Sequence, residues 1–291
     1  MLITRTICVY VVAVFLAAAL LAYPLFLTFM ALGFDQVPFH KLVTRLLKLF
    51  ALAGLWPLLA WLGANQRIHW GFGVARKSFV LELLKGFVIG VLILAVLVAG
   101  LFGLGVRVLD EPIQLGATTV VVILLKGLVA GLVVGFVEEV WFRGVLFSVL
   151  LKFGNLVLAI CVTAALYALV HFIRADVTIA QSDVDWNSGF IVLAHCFGRF
   201  TSVDIIDSAF ALFAAGMLLS LVRWRKGNIA MCIGIHAGWV MVIKTVKSVS
   251  HVERASDWNF LIGRYDGVIG ILAIAWLALL AIAYYWFEKR R

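Results

Sequence analysis

From residue 7 to residue 32 the chain carries no charged side chain, and uncharged apolar stretches of similar kind recur along its whole length. A helix needs about 20 such residues to cross a hydrocarbon core ~30 Å thick. Because lipid offers no hydrogen bonds, every backbone polar group there must be satisfied within its own segment. Repeated runs of this kind therefore predict an all-α fold, a polytopic bundle of transmembrane helices. Composition agrees: 65% of residues are hydrophobic and 13% charged, with a mean hydropathy of +1.12, well outside the range of soluble globular domains.

The runs predict about eight spans, at residues 7–32, 49–64, 86–106, 127–151, 155–172, 208–222, 228–243 and 268–287. The apolar stretch 113–151 is too long for one straight crossing. If Lys126 snorkels at one interface and Lys152 marks the other, the crossing is 127–151, and 113–125 is interfacial or an extension of the same helix. The least hydrophobic region, 174–207, reads as a long external loop holding a short interfacial helix near 190–197. One integral membrane domain results, in three stretches: 1–125 with the first spans and an interfacial segment, 126–247 as the core, and 248–291 with a polar loop and the last span.

The net charge of +9 arises mainly from Lys and Arg in short loops and at the C-terminus. Anionic headgroups satisfy such residues, and without a soluble basic face nucleic-acid binding is excluded. Eight spans place both termini on one side. Arg67, Arg76, Lys77, Lys152, Arg223, Arg225, Lys226 and the basic C-terminus favour the cytoplasm for that side, against Lys41, Arg45, Lys48, Arg254 and Arg264 on the other. The first run is too long for the apolar core of a signal peptide and reads as an uncleaved anchor. Cys8, Cys161, Cys196 and Cys232 show no paired spacing, so neither a disulfide framework nor a metal knuckle is expected.

Against this apolar background, the stretch Glu138-Glu139-Val140-Trp141-Phe142-Arg143-Gly144 stands out. A charge at the centre of a membrane helix costs roughly 2.5 to 3.5 kcal/mol on insertion scales, so three together require partners, water or a function. On a helix Glu139 and Arg143 are i and i+4 and meet on one face, while Glu138 points about 100° away. The pair is expected to be structural and Glu138 to project into the bundle. Two histidines, His171 and His236, lie on other spans. Equal helix lengths from the turn near 152–155 put His171 at the depth of Glu138, and His236 lies in the cytoplasmic half. A buried carboxylate with two imidazoles suits a general-base site, in which the carboxylate takes a proton from water and an imidazole positions that water. The same set could ligate zinc, although the HExxH spacing is absent. A purely structural charge cluster is the remaining alternative. His40, His69, His195 and His251 fall in loops or interfaces, and Cys232, one turn before His236, reads as an inert embedded thiol.

These residues resemble the CAAX-protease and bacteriocin-processing (CPBP, or abortive-infection) membrane endopeptidases, whose motifs are Glu-Glu-x-x-x-Arg, Phe-x-x-x-His and His-x-x-x-Asn or Asp on separate helices. The first matches Glu138, Glu139 and Arg143; the second matches Tyr167 to His171 with Tyr for Phe; the third begins at His236 but has Val240 at the polar position. The resemblance covers residues 126–247. It implies an intramembrane endopeptidase in which Glu138 activates water, His171 positions it and His236 helps to hold the oxyanion, with Glu139 and Arg143 as structural support. It implies no cofactor, with zinc as the minority alternative; a peptide or membrane-protein substrate; and a site opening to the cytoplasmic side. A bacterial cytoplasmic (inner) membrane is the expected location. Val240 implies a differently built oxyanion site, or a lost activity and a non-catalytic scaffold or immunity protein of the same fold. A proton-coupled transporter is a third possibility that lacks repeat symmetry.

Overall fold

The structure, a computed structural model, describes residues 2–34, 36–61, 63, 70–110, 116–175 and 177–289. Arg67 and His69, the first residues of the expected 113–125 segment, and the terminal Arg290 and Arg291 lie outside the described residues. In chain order the helices are α1 (Leu2–Ala31), α2 (Phe39–Ala53), α3 (Leu55–Trp61), α4 (Arg76–Gly103), α5 (Ala117–Glu139), α6 (Phe147–Phe153), α7 (Leu156–Val170), α8 (Ser188–His195), α9 (Ile206–Lys226), α10 (Ala230–Val249) and α11 (Ile271–Lys289). A π-helical segment, Val140–Leu146, joins α5 to α6. Strands β1 (Arg107–Leu109) and β2 (Ser250–Val252) pair antiparallel, Val108 opposite His251. The chain divides into two compact units, Met1–Asn65 with Leu169–Val203, and Gln66–Ala168 with Asp204–Arg291.

The all-α expectation holds, and the span pattern differs in detail. Among the described residues five helical stretches are long and apolar enough to cross a membrane: Cys8–Ala31, Arg76–Gly103, Ala117–Lys152, Val203–Lys226 and Ala230–Val249. Leu156–Val170 and Ile271–Trp286 are shorter apolar helices. The expected second span, 49–64, is instead the end of α2 followed by α3. Pro57 explains the break, since it has no N–H to offer the Ala53 carbonyl and fits without loss in the first turn of α3. The stretch 113–151 takes the extension alternative: Lys126 lies inside one helical run from Ala117 to Lys152, which at 1.5 Å per residue is about 54 Å long and exceeds the hydrocarbon core.

In the second unit α10 lies between α4 and α5. Close approach makes this possible: a Cβ on Gly90 of α4 would fall 2.3 Å from the Ile235 carbonyl oxygen, and one on Gly131 of α5 would fall 2.3 Å from that of Ala237. Small residues let membrane helices gain backbone packing that side chains would prevent. The α9 to α10 turn is set by Gly227, in the left-handed region at φ 68°, and by Asn228, whose Oδ1 accepts from the Ala230 N–H at 3.0 Å. Trp276 of α11 donates to the Ile93 carbonyl of α4 at 3.0 Å. At one end β1 and β2 meet, a sheet that no alternation in the sequence announced, held by Arg107 reaching into the turn at Gly267.

The first unit has an apolar core in which α2 runs antiparallel to α1. Phe39 meets Phe26 edge to face at 5.4 Å, and the Tyr10 hydroxyl donates to the Ala51 carbonyl. Helix α2 is amphipathic: Leu42, Val43, Leu46 and Leu47 are buried while Lys41, Arg45 and Lys48 are exposed. The region expected to be an external loop contributes α8 to this core. Gly189 packs directly on the Ala19 backbone, and Asp185 accepts hydrogen bonds from the Asn187 and Ser188 amides at 2.9 Å as α8 begins. A bond from the Ser188 hydroxyl, with those from the two amides, holds the Asp185 carboxyl below its ordinary range.

Candidate active site

Glu138 and Glu139 end α5, at the point where the winding widens into the π-helical segment. Single-turn π segments of this kind occur frequently at functional sites. Glu139 and Arg143 are both fully buried and meet at 2.9 Å between Oε1 and Nη1. The guanidinium has further partners: Nη2 donates to the Gly216 carbonyl of α9 at 3.0 Å, and the group lies 4.5 Å over the ring of Tyr167 from α7 and 5.8 Å from that of Phe142. Tyr167 is braced edge-on by Phe142 at 5.3 Å. Its place in the aromatic position of the motif thus carries a contact that spacing alone did not foretell.

The π winding loosens the regular carbonyl ladder, and Arg223 of α9 serves it. Its Nε donates to the main-chain carbonyl of Arg143 at 3.0 Å, and Nη2 reaches the Ser148 hydroxyl at 3.3 Å. In the sequence Arg223 reads as one of a basic run at the membrane edge; burial of its head against the helix that bears Arg143 gives it a second task.

His236 of α10 is buried and joins the same cluster. Its Nδ1 lies 2.8 Å from Glu139 Oε1, and its Nε2 lies 3.8 Å from Glu138 Oε2. The two carboxylates therefore flank opposite nitrogens of one ring. Glu139, engaged by Arg143, is an acceptor for Nδ1–H, which fixes the ring's orientation and turns Nε2 toward Glu138. The expectation for Glu139 covered Arg143 alone; the histidine contact is additional and required knowing which face of α10 meets α5. Cys232, one turn earlier, donates from Sγ to the Leu219 carbonyl at 3.3 Å.

His171 is not on a span as expected. Helix α7 ends at Val170, and His171 sits half-buried in the turn that follows, where the Phe172 N–H bonds to the Leu169 carbonyl at 3.1 Å. That turn begins the stretch Leu169–Val203, which groups with the first unit. Within the second unit the structure brings together Glu138, Glu139, Arg143 and His236. Among the described residues no three His, Cys, Asp or Glu side chains are grouped to hold a metal ion.

Residues 118–242 match a model of the family described as type II CAAX prenyl endopeptidase Rce1-like. The matched segment contains the whole cluster above and all three motif positions. No curated protein and no solved structure gives a match.

Proposed function

We propose that this multi-pass integral membrane protein, Rce1-like across the segment that carries its charged cluster, is an endopeptidase that hydrolyses peptide bonds with a glutamate-activated water. The observation that carries the reading is the position of Glu138, half-buried and 3.8 Å from the outer nitrogen of a histidine whose inner nitrogen is held by Glu139. In the proposed step the Glu138 carboxylate takes a proton from water as the water oxygen bonds to the scissile carbonyl carbon and the carbonyl electron pair moves onto oxygen. His236, as the imidazolium with its Nδ1–H on Glu139, donates Nε2–H to that oxyanion. Collapse re-forms the carbonyl and expels the amine, which takes the proton back from Glu138. Glu139 and Arg143 hold His236 and the helix in place. Low dielectric strengthens each of these interactions relative to water. The basic run Arg223 to Lys226 supports a site opening to the cytoplasmic side.

The test uses purified, reconstituted protein with a quenched fluorescent peptide ending in a farnesylated CAAX sequence, the class the family description names, beside a panel of unmodified peptides. Glu138→Gln is expected to lower turnover ~10²- to 10⁴-fold, the range for losing a general base, with the thermal midpoint unchanged. Equal cleavage by both proteins removes Glu138 from the mechanism. Zinc analysis of the same samples separates the metal alternative: stoichiometric zinc that disappears in His171→Ala would favour it. Val240 motivates a second reading, a non-catalytic scaffold of this fold; retention of in-cell function by Glu138→Gln at normal protein levels would select it.

A further inference from the structure

Trp239 is 5% exposed, yet its indole Nε1–H has no hydrogen-bond acceptor among the described residues. A buried indole N–H usually finds a partner, because leaving it unmet in a low-dielectric interior forfeits its hydration with nothing in return. Its location suggests what the partner is. Trp239 follows His236 by three residues and so shares its face of α10, with ring centroids 6.5 Å apart and planes tilted by 46°. An oxygen that accepts from both rings must lie about 2.9 Å from each donor nitrogen, which sets it between the two side chains on this face. The next position on this face, Val240, has no donor to offer.

We infer that the Trp239 indole N–H is a substrate donor of the site, sharing with His236 Nε2–H the carbonyl oxygen of the scissile bond as it becomes an oxyanion. The assignment rests on the peptidase reading above and adds a catalytic residue to it. In the step already written, no atom or electron moves through Trp239. Its N–H bond stays intact and strengthens its contact as charge builds on the oxygen, which lowers the barrier more than it tightens ground-state binding.

Replacing the indole nitrogen by sulfur tests this with shape retained. Trp239 is exchanged for 3-benzothienyl-alanine by stop-codon suppression, alongside Trp239→Phe and Glu138→Gln, and each protein is assayed on the peptide that the wild type cleaves. The expected result for the sulfur analogue is kcat lower by roughly 10²- to 10³-fold, the range for one oxyanion donor, with KM within about threefold and the thermal midpoint unchanged. Trp239→Phe is expected to lose similar turnover and also some stability, since it leaves a void. Wild-type kcat in the sulfur analogue, with Glu138→Gln inactive, overturns the role of Trp239 and leaves the peptidase reading standing. Full activity in Glu138→Gln, or no cleavage by the wild type, overturns that reading and this inference with it.

Discussion

Of the buried arginines in the second unit, Arg143 in the helical cluster and Arg107 at the β1 to β2 corner are satisfied in different ways. Arg107 is met mostly by neutral oxygens: Ser250 Oγ at 3.0 Å, the Ser250 carbonyl at 2.6 Å and the Gly267 carbonyl at 2.8 Å. Burial depresses its proton affinity, and the attraction of Asp266 and Asp110 offsets only part of that. Arg143 is met by a carboxylate, a carbonyl and an aromatic face, and its carboxylate is shared with a histidine. Carbonyls suffice where the task is to fasten a turn. A full negative charge deep in the bundle is expensive, and here it both holds an imidazole in one orientation and balances the arginine's charge, which a carbonyl cannot.

The strongest way to break the comparison is to neutralise one end of the deep pair. Arg143→Leu should cost about 3 to 5 kcal/mol of stability, because Glu139 is left buried without its cation; it should also abolish turnover. Glu139→Gln combined with Arg143→Met should recover much of the stability, read as the thermal midpoint, without recovering activity. If the single variant is as stable as the wild type, Arg143 is no more than a second Arg107. At the corner, Arg107→Met should cost about 1 to 3 kcal/mol, the penalty for carbonyls that lose their donor, while turnover stays within twofold.

The smallest effect concerns pH. Asp266, half-buried in the turn that Arg107 fastens, has its pKa raised mainly by burial, although hydrogen bonds from the Val268 and Ile269 amides and attraction to Lys247 and Arg107 work the other way. A raised acid pKa means that the folded state binds the proton more tightly than the unfolded chain. The associated stability is fully present below the ordinary carboxylate range and is lost as pH rises through the raised value. Asp266→Asn keeps the side-chain acceptor and cannot titrate. Its midpoint, relative to wild type, should therefore be more favourable at pH 7 than at pH 4, by no more than a few degrees. A difference that does not vary with pH would mean that burial does not govern Asp266.

The deep region was far more legible in the sequence than the corner. Three charges inside an apolar run are conspicuous, and i,i+4 spacing alone joins Glu139 to Arg143. His236 could be proposed but not oriented, since which nitrogen meets which carboxylate depends on how α10 rotates between its glycine-lined neighbours. Tyr167 was visible only as a motif position, and Arg223 was hidden by its place in a run of membrane-edge charges. Lipid makes span and core look alike, so α2 could not be told from a crossing helix without weighing the cationic face of Lys41, Arg45 and Lys48 against the break at Pro57. The β1 to β2 pairing left no trace because three-residue strands are too short to show alternation.

The widened winding at Val140–Leu146 sets the phase of everything after it. A π turn is an α-helix with one residue inserted, so deleting a single residue there would yield a smoother helix whose downstream half stays nearly in phase while the turn from Glu139 to Arg143 is rebuilt; the same deletion in regular α-helix would rotate the downstream half by about 100°. Length variation across this seven-residue stretch should therefore be tolerated by the fold in lipid and not by the chemistry. A library of single-codon deletions along α5 and α6, scored separately for membrane insertion and for turnover, would locate that seam without any substitution.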